Sequence, residues 1–238
     1  QSRARIPLLV ASDLERGLVF RVRCGVVPIP YAMAIGVTRS EEAAYFTGLV
    51  TGREAWAVGI HWTFAPVADV NNNPDNPVIN IRSYGEDPTL VSRLTEAYIR
   101  GARDGAILST AKHFPGHGDT ATDSHLALPV IAADRDRLDR VELPPFESMV
   151  RAGVDSIMVA HISVPAIDPS GAPASLSEPI TTGLIRERMK FQGLIVTDAM
   201  EMSGLDLAWS GEAAVRAVAA GADLVLLPRD ARVAIREI

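Results

Sequence analysis

The chain carries a single cysteine, Cys24, so no internal disulfide framework can staple it. At 238 residues it needs none, being long enough to bury one large core. Positive charge is also short. The net charge is −6 and the Lys and Arg residues are scattered, which argues against a nucleic-acid partner or an anionic membrane surface. No uninterrupted apolar run approaches the roughly 20 residues needed to cross a bilayer, so no membrane-spanning segment is expected. An initiating methionine is missing too, and QSRARIPLLVASD opens almost directly on a strand-like run. This reads as a fragment without its front end, and localisation stays open between cytoplasm, periplasm and secretion. Neither a G-x-G-x-x-G after the first apolar run nor a G-x-x-x-x-G-K-[ST] occurs, which removes the dinucleotide and nucleotide-phosphate fingerprints. No cofactor is expected.

What is present is an alternation. Hydrophobic residues make up 47% and charged residues 22%, the balance of a globular chain rather than a disordered one. Six short apolar runs stand at 6–12, 59–70, 105–113, 155–162, 193–200 and 222–228. Between them lie helical patterns. SEEAAYFTGLVTGREAWAVG begins at a Ser40 cap, and DPTLVSRLTEAYIRGARDG begins near Asp87 or Thr89. LPPFESMVRAGV, LSEPITTGLIRERMKF and SGEAAVRAVAAG follow. Continuous apolar runs suit strands buried on both faces of a parallel sheet, and strand–helix alternation gives an α/β fold. Asp13, Asp69, Lys112, His113, His161 and Asp198 fall at or just past the C-terminal ends of different runs. In a barrel those ends share one mouth, where chemistry occurs, whereas an open sheet would string them along an edge. The expectation is an α/β fold, a (β/α)8 TIM-type barrel lacking its first two β/α units. Residues 1–238 are expected to form a single catalytic barrel domain, incomplete at its first strands and last helix.

The polar residues suggest chemistry without fixing it. Asp198 closes GLIVTDAMEM, where a carboxylate can serve as nucleophile, general base or metal ligand. It can equally cap a following helix, with Glu201 in support. KHFPGHGDTATDSH, 112–125, gathers three of the five histidines. His113 and His117 are four apart, as in zinc-binding helices, but Pro115, Gly116 and Gly118 exclude that helix. Asp119, Asp123 and His125 could add ligands from a folded loop, so a metal-dependent barrel hydrolase stands as an alternative, although no metal is expected. Asp123 and His125 can also fold together so that the carboxylate holds one imidazole nitrogen and frees the other for proton exchange. An Asx-turn beside a surface histidine is the plainer alternative. Arg82, near the end of the polar loop NNNPDNPVINIRSYGEDP, grips an anion or sugar hydroxyls, or else pairs with Glu86 or Asp87.

Taken together, PLLVASDLERG, NPVINIRSYGEDP, AKHFPGHGDTATDSHLALP and GLIVTDAMEM resemble the catalytic barrel of glycoside hydrolase family 3, from residue 7 to about 228. Within the family they most resemble the β-N-acetylglucosaminidase branch. The resemblance implies a retaining glycosidase that releases non-reducing-end N-acetyl-β-D-glucosamine. It implies a covalent intermediate on Asp198, with His125, hydrogen-bonded to Asp123, as acid and base on a loop that closes over the sugar. It also implies that Asp13, Arg82, Lys112 and His113 hold sugar hydroxyls, and that His161 and Met202 line the same pocket. The implied partner is a carbohydrate, an N-acetylglucosamine-containing glycoside. β-Glucosidase action, phosphorolysis and non-catalytic sugar binding are the remaining alternatives. DLERG departs from the DQEGG form of the family, so the wall beside Asp13 is expected to differ.

Overall fold

The computed structural model describes residues 5–122, 128–202 and 210–238. Its strands are β1 (Ala11–Ser12), β2 (Trp62–Thr63), β3 (Thr110–Phe114), β4 (Ser156–Val159) and β5 (Leu194–Thr197). β1 pairs with β2, and β3 with β4 and β4 with β5, always in parallel. Parallel bridges Trp62–Leu108 and Val67–Lys112 join the two groups, and Val196–Leu224 adds the last apolar run at the far side. Every spatial neighbour is therefore the next run in sequence. That is the order of a β/α barrel wall, whereas a doubly wound sheet reverses its order part-way.

The strands curve round a filled interior. Trp62, Phe64, Met158 and Val196 pack together there with Ala11, Leu224 and Leu226 against them. The Trp62 indole donates to Thr110 Oγ1 at 2.7 Å and lies 3.1 Å from Ser156 Oγ, so β2, β3 and β4 meet through one side chain. A buried indole N–H needs such an acceptor, and these inward hydroxyls supply it.

The outer layer consists of α1 (Ala32–Thr38), α2 (Glu41–Ala57), α3 (Pro88–Asp104), α4 (Arg135–Arg140), α5 (Pro144–Ala152), α6 (Ser210–Ala220) and α7 (Ala231–Glu237). Ser40 caps α2 by accepting from the Ala43 N–H, and Asp87 caps α3 by accepting from Thr89, with Pro88 in the first turn. Gly153 ends α5 in the left-handed region at φ 79°. The pattern LSEPITTGLIRERMKF is helical as expected, but its Pro179–Arg188 segment winds as a π-helix. Phe114 of β3 meets Phe146 of α5 edge-on at 5.1 Å in the main core between sheet and helices. Among the described residues, no helix is long and apolar enough to cross a membrane.

Several strands are shorter than their apolar runs. The run 6–12 pairs only at Ala11–Ser12, 59–70 pairs at Trp62–Thr63 and again only at the Val67–Lys112 bridge, and 222–228 is reduced to the bridge at Leu224. Apolar character marks what wants burial, but a strand also needs a neighbour in register. Among the described residues β1 has such a neighbour on the β2 side, and Ile6, Leu8 and Leu9 are exposed.

α2 and α3 cross at backbone contact. A Cβ added to Gly48 would sit 2.1 Å from the Tyr98 carbonyl oxygen, and one on Gly101 would sit 1.9 Å from that of Tyr45. Backbone cannot give way as a flexible side chain can. Gly101→Ala is therefore expected to cost about 3 kcal/mol or more, at the upper end of overpacking penalties. Urea denaturation reads this directly; a midpoint unchanged from wild type would show that the helices separate freely.

Candidate active site

The C-terminal ends of the strands surround a cavity of about 1000 Å³. Asp13, Arg82, Lys112, His113, Asp198 and Met202 all line it. The adjacent Lys112 and His113 both reach the cavity, where the pairing of β3 with β4 shifts register between Ala111 and Phe114.

A chain of ion pairs crosses the mouth. The buried Lys112 ammonium donates to Asp13 Oδ1 at 2.8 Å and lies 2.8 Å from Glu15 Oε1. Arg82 grips Glu15 with two nitrogens, Nη2 at 2.7 Å and Nε at 3.0 Å. Arg21 closes the outer end on Asp13 Oδ2 at 3.1 Å. Burial pushes the Glu15 carboxyl up, yet Lys112 and Arg82 outweigh it and hold the group far below the usual carboxylate range. Burial likewise pushes the Lys112 ammonium down, and Glu15 and Asp13 more than reverse it. Both groups stay charged because each is the other's counter-ion. Arg82 thus pairs with neither Glu86 nor Asp87, and Asp87 is occupied as the α3 cap.

Asp69 fastens the next layer. Its carboxylate is fully buried and accepts from the His113 N–H, from His113 Nδ1 at 2.7 Å and from the His117 N–H at 2.6 Å. Burial pushes Asp69 up, but His113 and His117 hold it below its ordinary value. A carboxylate facing Nδ1 assigns the proton to that nitrogen, leaving the Nε2 lone pair for Arg82 Nη2 at 3.2 Å. The loop beyond is pinned by Asn76, whose Nδ2 donates to the His117 carbonyl at 2.7 Å, and by Thr120 Oγ1, 2.6 Å from His117 Nδ1. Burial and the neighbouring His113 push His117 down to about 4.

Asp198 follows β5. Its backbone N–H donates to the Val159 carbonyl at 2.8 Å, and its Oδ1 accepts from the Ala199 N–H at 2.8 Å. Residues 199–202 form a turn, so Asp198 is not serving as a helix cap. Burial raises its carboxyl, while His113, His161, the Ala199 N–H and Lys112 prevail and leave it below the ordinary value.

His161 takes a different place from the one expected for a sugar contact. It is fully buried and is absent from the cavity wall. Register explains this: Val159 pairs with Thr197, so two steps on His161 comes level with Ala199, whose carbonyl lies 3.1 Å from Nε2. Nε2 must donate to that carbonyl, so Nδ1 accepts from Ser175 Oγ at 2.7 Å. Burial lowers the imidazole below its usual range and keeps it neutral. It holds the turn carrying Asp198. Asp123 and His125 lie outside the described residues. Among the described residues no three His, Cys, Asp or Glu side chains converge as a metal-ligand set.

Glu15 and Arg21 were not singled out in the sequence, and Asp69 was noted only as a strand-end acid. Glu15 had a signal, since a residue two after Asp13 falls on the same side of an extended chain.

The family model described as "Glycosyl hydrolase family 3 N terminal domain" matches residues 1–238. This chain belongs to glycosyl hydrolase family 3. It is 39% identical to "Beta-hexosaminidase A" of Pseudoalteromonas piscicida across 96% of this chain and 41% of that protein. A glycoside hydrolase family 3 β-N-acetylglucosaminidase from Paenibacillus sp. str. FPU-7 superposes with TM-score 0.94 and 44% identity, over 98% of this chain and 45% of that one. The "Beta-glucoside phosphorylase BglX" superposes with TM-score 0.91 and 33% identity, over 99% of this chain and 45% of that one. The chain thus spans less than half the length of these relatives. Its likeness lies with the β-N-acetylglucosaminidase branch, and the α/β fold is of the family's TIM-barrel type.

The buried charges give stability a definite pH dependence. His117 has an ordinary value of 6.5 and a folded value of about 4, so the unfolded chain binds a proton that the folded one refuses. Its contribution is full above pH 6.5 and is lost as pH falls towards 4, by about 3 kcal/mol. Glu15 adds a further loss below its ordinary value of 4.5. Urea unfolding between pH 7 and 4 should show this slope, and His117→Asn should flatten its upper part. A profile level from pH 7 to 4 would refute the assignment.

Proposed function

We propose that this chain carries the catalytic barrel, of (β/α)8 type, of a retaining glycosidase that releases non-reducing-end N-acetyl-β-D-glucosamine. The observation that carries this reading is Asp198, a half-buried carboxylate held below its ordinary pKa on the wall of a cavity built from paired charges. An ionised carboxylate is what the first step of retention needs, because it must attack the anomeric carbon as an oxocarbenium-like transition state develops. The likeness to proteins named beta-hexosaminidase and β-N-acetylglucosaminidase supports the sugar. The same reading takes residues 1–238 as one catalytic domain and an N-acetylglucosaminide of chitin or peptidoglycan type as the substrate.

In the proposed mechanism Asp13, Lys112, Arg82 and His113 exchange hydrogen bonds with the terminal sugar's hydroxyls and orient its anomeric carbon towards Asp198. A bond forms from an Asp198 oxygen to that carbon as the bond to the leaving oxygen breaks. His125, held by Asp123, gives its proton to that oxygen. In the second step the now neutral imidazole takes a proton from water, the water oxygen attacks the anomeric carbon, and Asp198 leaves as carboxylate. Met202 fills part of the same wall. His161 acts behind it as a positioning residue. The likeness to a β-glucoside phosphorylase supports a second reading, in which phosphate replaces water in the second step.

Asp198→Ala in the full-length protein should lower turnover of an aryl N-acetyl-β-glucosaminide by roughly 10⁴-fold or more, the scale of losing a nucleophile. Azide should restore part of the rate and yield the α-glycosyl azide, since the small anion enters from the face that Asp198 vacates. Absence of turnover by the wild-type enzyme on any aryl glycoside would end this reading.

A further inference from the structure

The segment between β1 and α1 adds two aromatic rings to the cavity wall, Phe20 and Tyr31. Each is 38% exposed, in a chain with only 5% aromatic residues. Each is braced by a guanidinium. Arg16 Cζ lies 4.3 Å from the Tyr31 ring centroid and Arg21 Cζ lies 5.0 Å from that of Phe20. Arg16 is itself tied down by donating from Nε to the Ile29 carbonyl at 3.4 Å. It is not part of the cavity wall although Tyr31 is, so it backs the ring and leaves the ring's remaining surface to the cavity. Arg16 is also, with Leu14, one of the two residues that set DLERG apart from DQEGG.

The cavity is graded with depth. Lys112 and His113 are 2% and 5% exposed, and the Glu15 side chain 11%, so these groups lie deep, while the two aromatics share the rim with the half-exposed Asp13–Arg21 pair. In an exo-acting site the terminal sugar occupies the deep charged part, and whatever it is linked to emerges past the rim. Resting on the function proposed above, we propose that Tyr31, with Phe20 on the same cavity wall, forms a leaving-group subsite that stacks against a second, neutral pyranose. The ligand class is a β-linked N-acetylglucosamine oligosaccharide. A pyranose presents a face of axial C–H groups flat enough to cover an aromatic ring, and a ring already held by a cation loses little freedom on covering.

The test compares two substrates of the full-length protein: N,N′-diacetylchitobiose, and 2,2,2-trifluoroethyl N-acetyl-β-glucosaminide, whose leaving group has no ring. The quantity read is kcat/KM on the disaccharide divided by kcat/KM on the trifluoroethyl glycoside. Tyr31→Ala should lower this ratio about tenfold, the scale of one aromatic stack. Tyr31→Phe should restore it, and Arg16→Ala should lower it in the same direction, which keeps the test open if Tyr31→Ala does not fold. A ratio unchanged in both alanine variants would overturn the subsite while leaving the glycosidase reading standing. Wild-type enzyme inert on both substrates would instead remove the function on which the subsite rests.

Discussion

A buried ammonium must be paired, and Lys112 satisfies that requirement across the width of the barrel. Its two carboxylates, on Asp13 and Glu15, come from the chain beyond β1, whereas the lysine stands on β3 with β2 between. Glu15 is in turn gripped by Arg82, Arg82 meets His113, and His113 rests on Asp69. Removing one member leaves the next charge buried and uncompensated, so the strand ends are fixed relative to one another by the cost of breaking the chain. The mouth is rigid where the ions are deep. Its rim, with half-exposed Asp13 and Arg21, is the part with freedom to adjust.

The sequence disclosed the features that obey local rules. Apolar runs followed by glycine-ended amphipathic stretches announced a parallel α/β wall, and caps at Ser40 and Asp87 fell where the residues indicated. Strand ends carrying Asp13, Lys112, His113 and Asp198 announced a shared cavity, because a barrel brings all such ends together. What stayed hidden depended on distance or register. Arg82 lies a few residues from Glu86 and Asp87 but chose Glu15, 67 residues away. His161 sits at a strand end as Asp198 does, yet faces the Ala199 carbonyl, and only the β4–β5 register determines that. Strand lengths were overread because burial and pairing are separate demands.

KHFPGHGDTATDSH divides accordingly. Lys112 and His113 belong to the fixed ionic chain, and His117 is bound to the same Asp69 carboxylate through its backbone. The cluster that resembled a metal nest in one dimension is, in the described residues, a set of groups already committed to one another. The proposed acid–base pair, Asp123 and His125, follows after this anchorage in the sequence.

The saturation of these cations shapes which molecules the cavity favours. Among the described residues, the cavity wall carries four carboxylates, Asp13, Glu15, Asp198 and Glu201, with Asp69 behind it, against three permanent cations at Arg21, Arg82 and Lys112. No surplus positive potential is left to draw an anion inward, and the slight negative excess repels one. A sugar hydroxyl, both donor and acceptor, can slip between a carboxylate and its cation without stranding either. On the proposed function, this charge balance would favour neutral polyols and water over phosphate in the mouth.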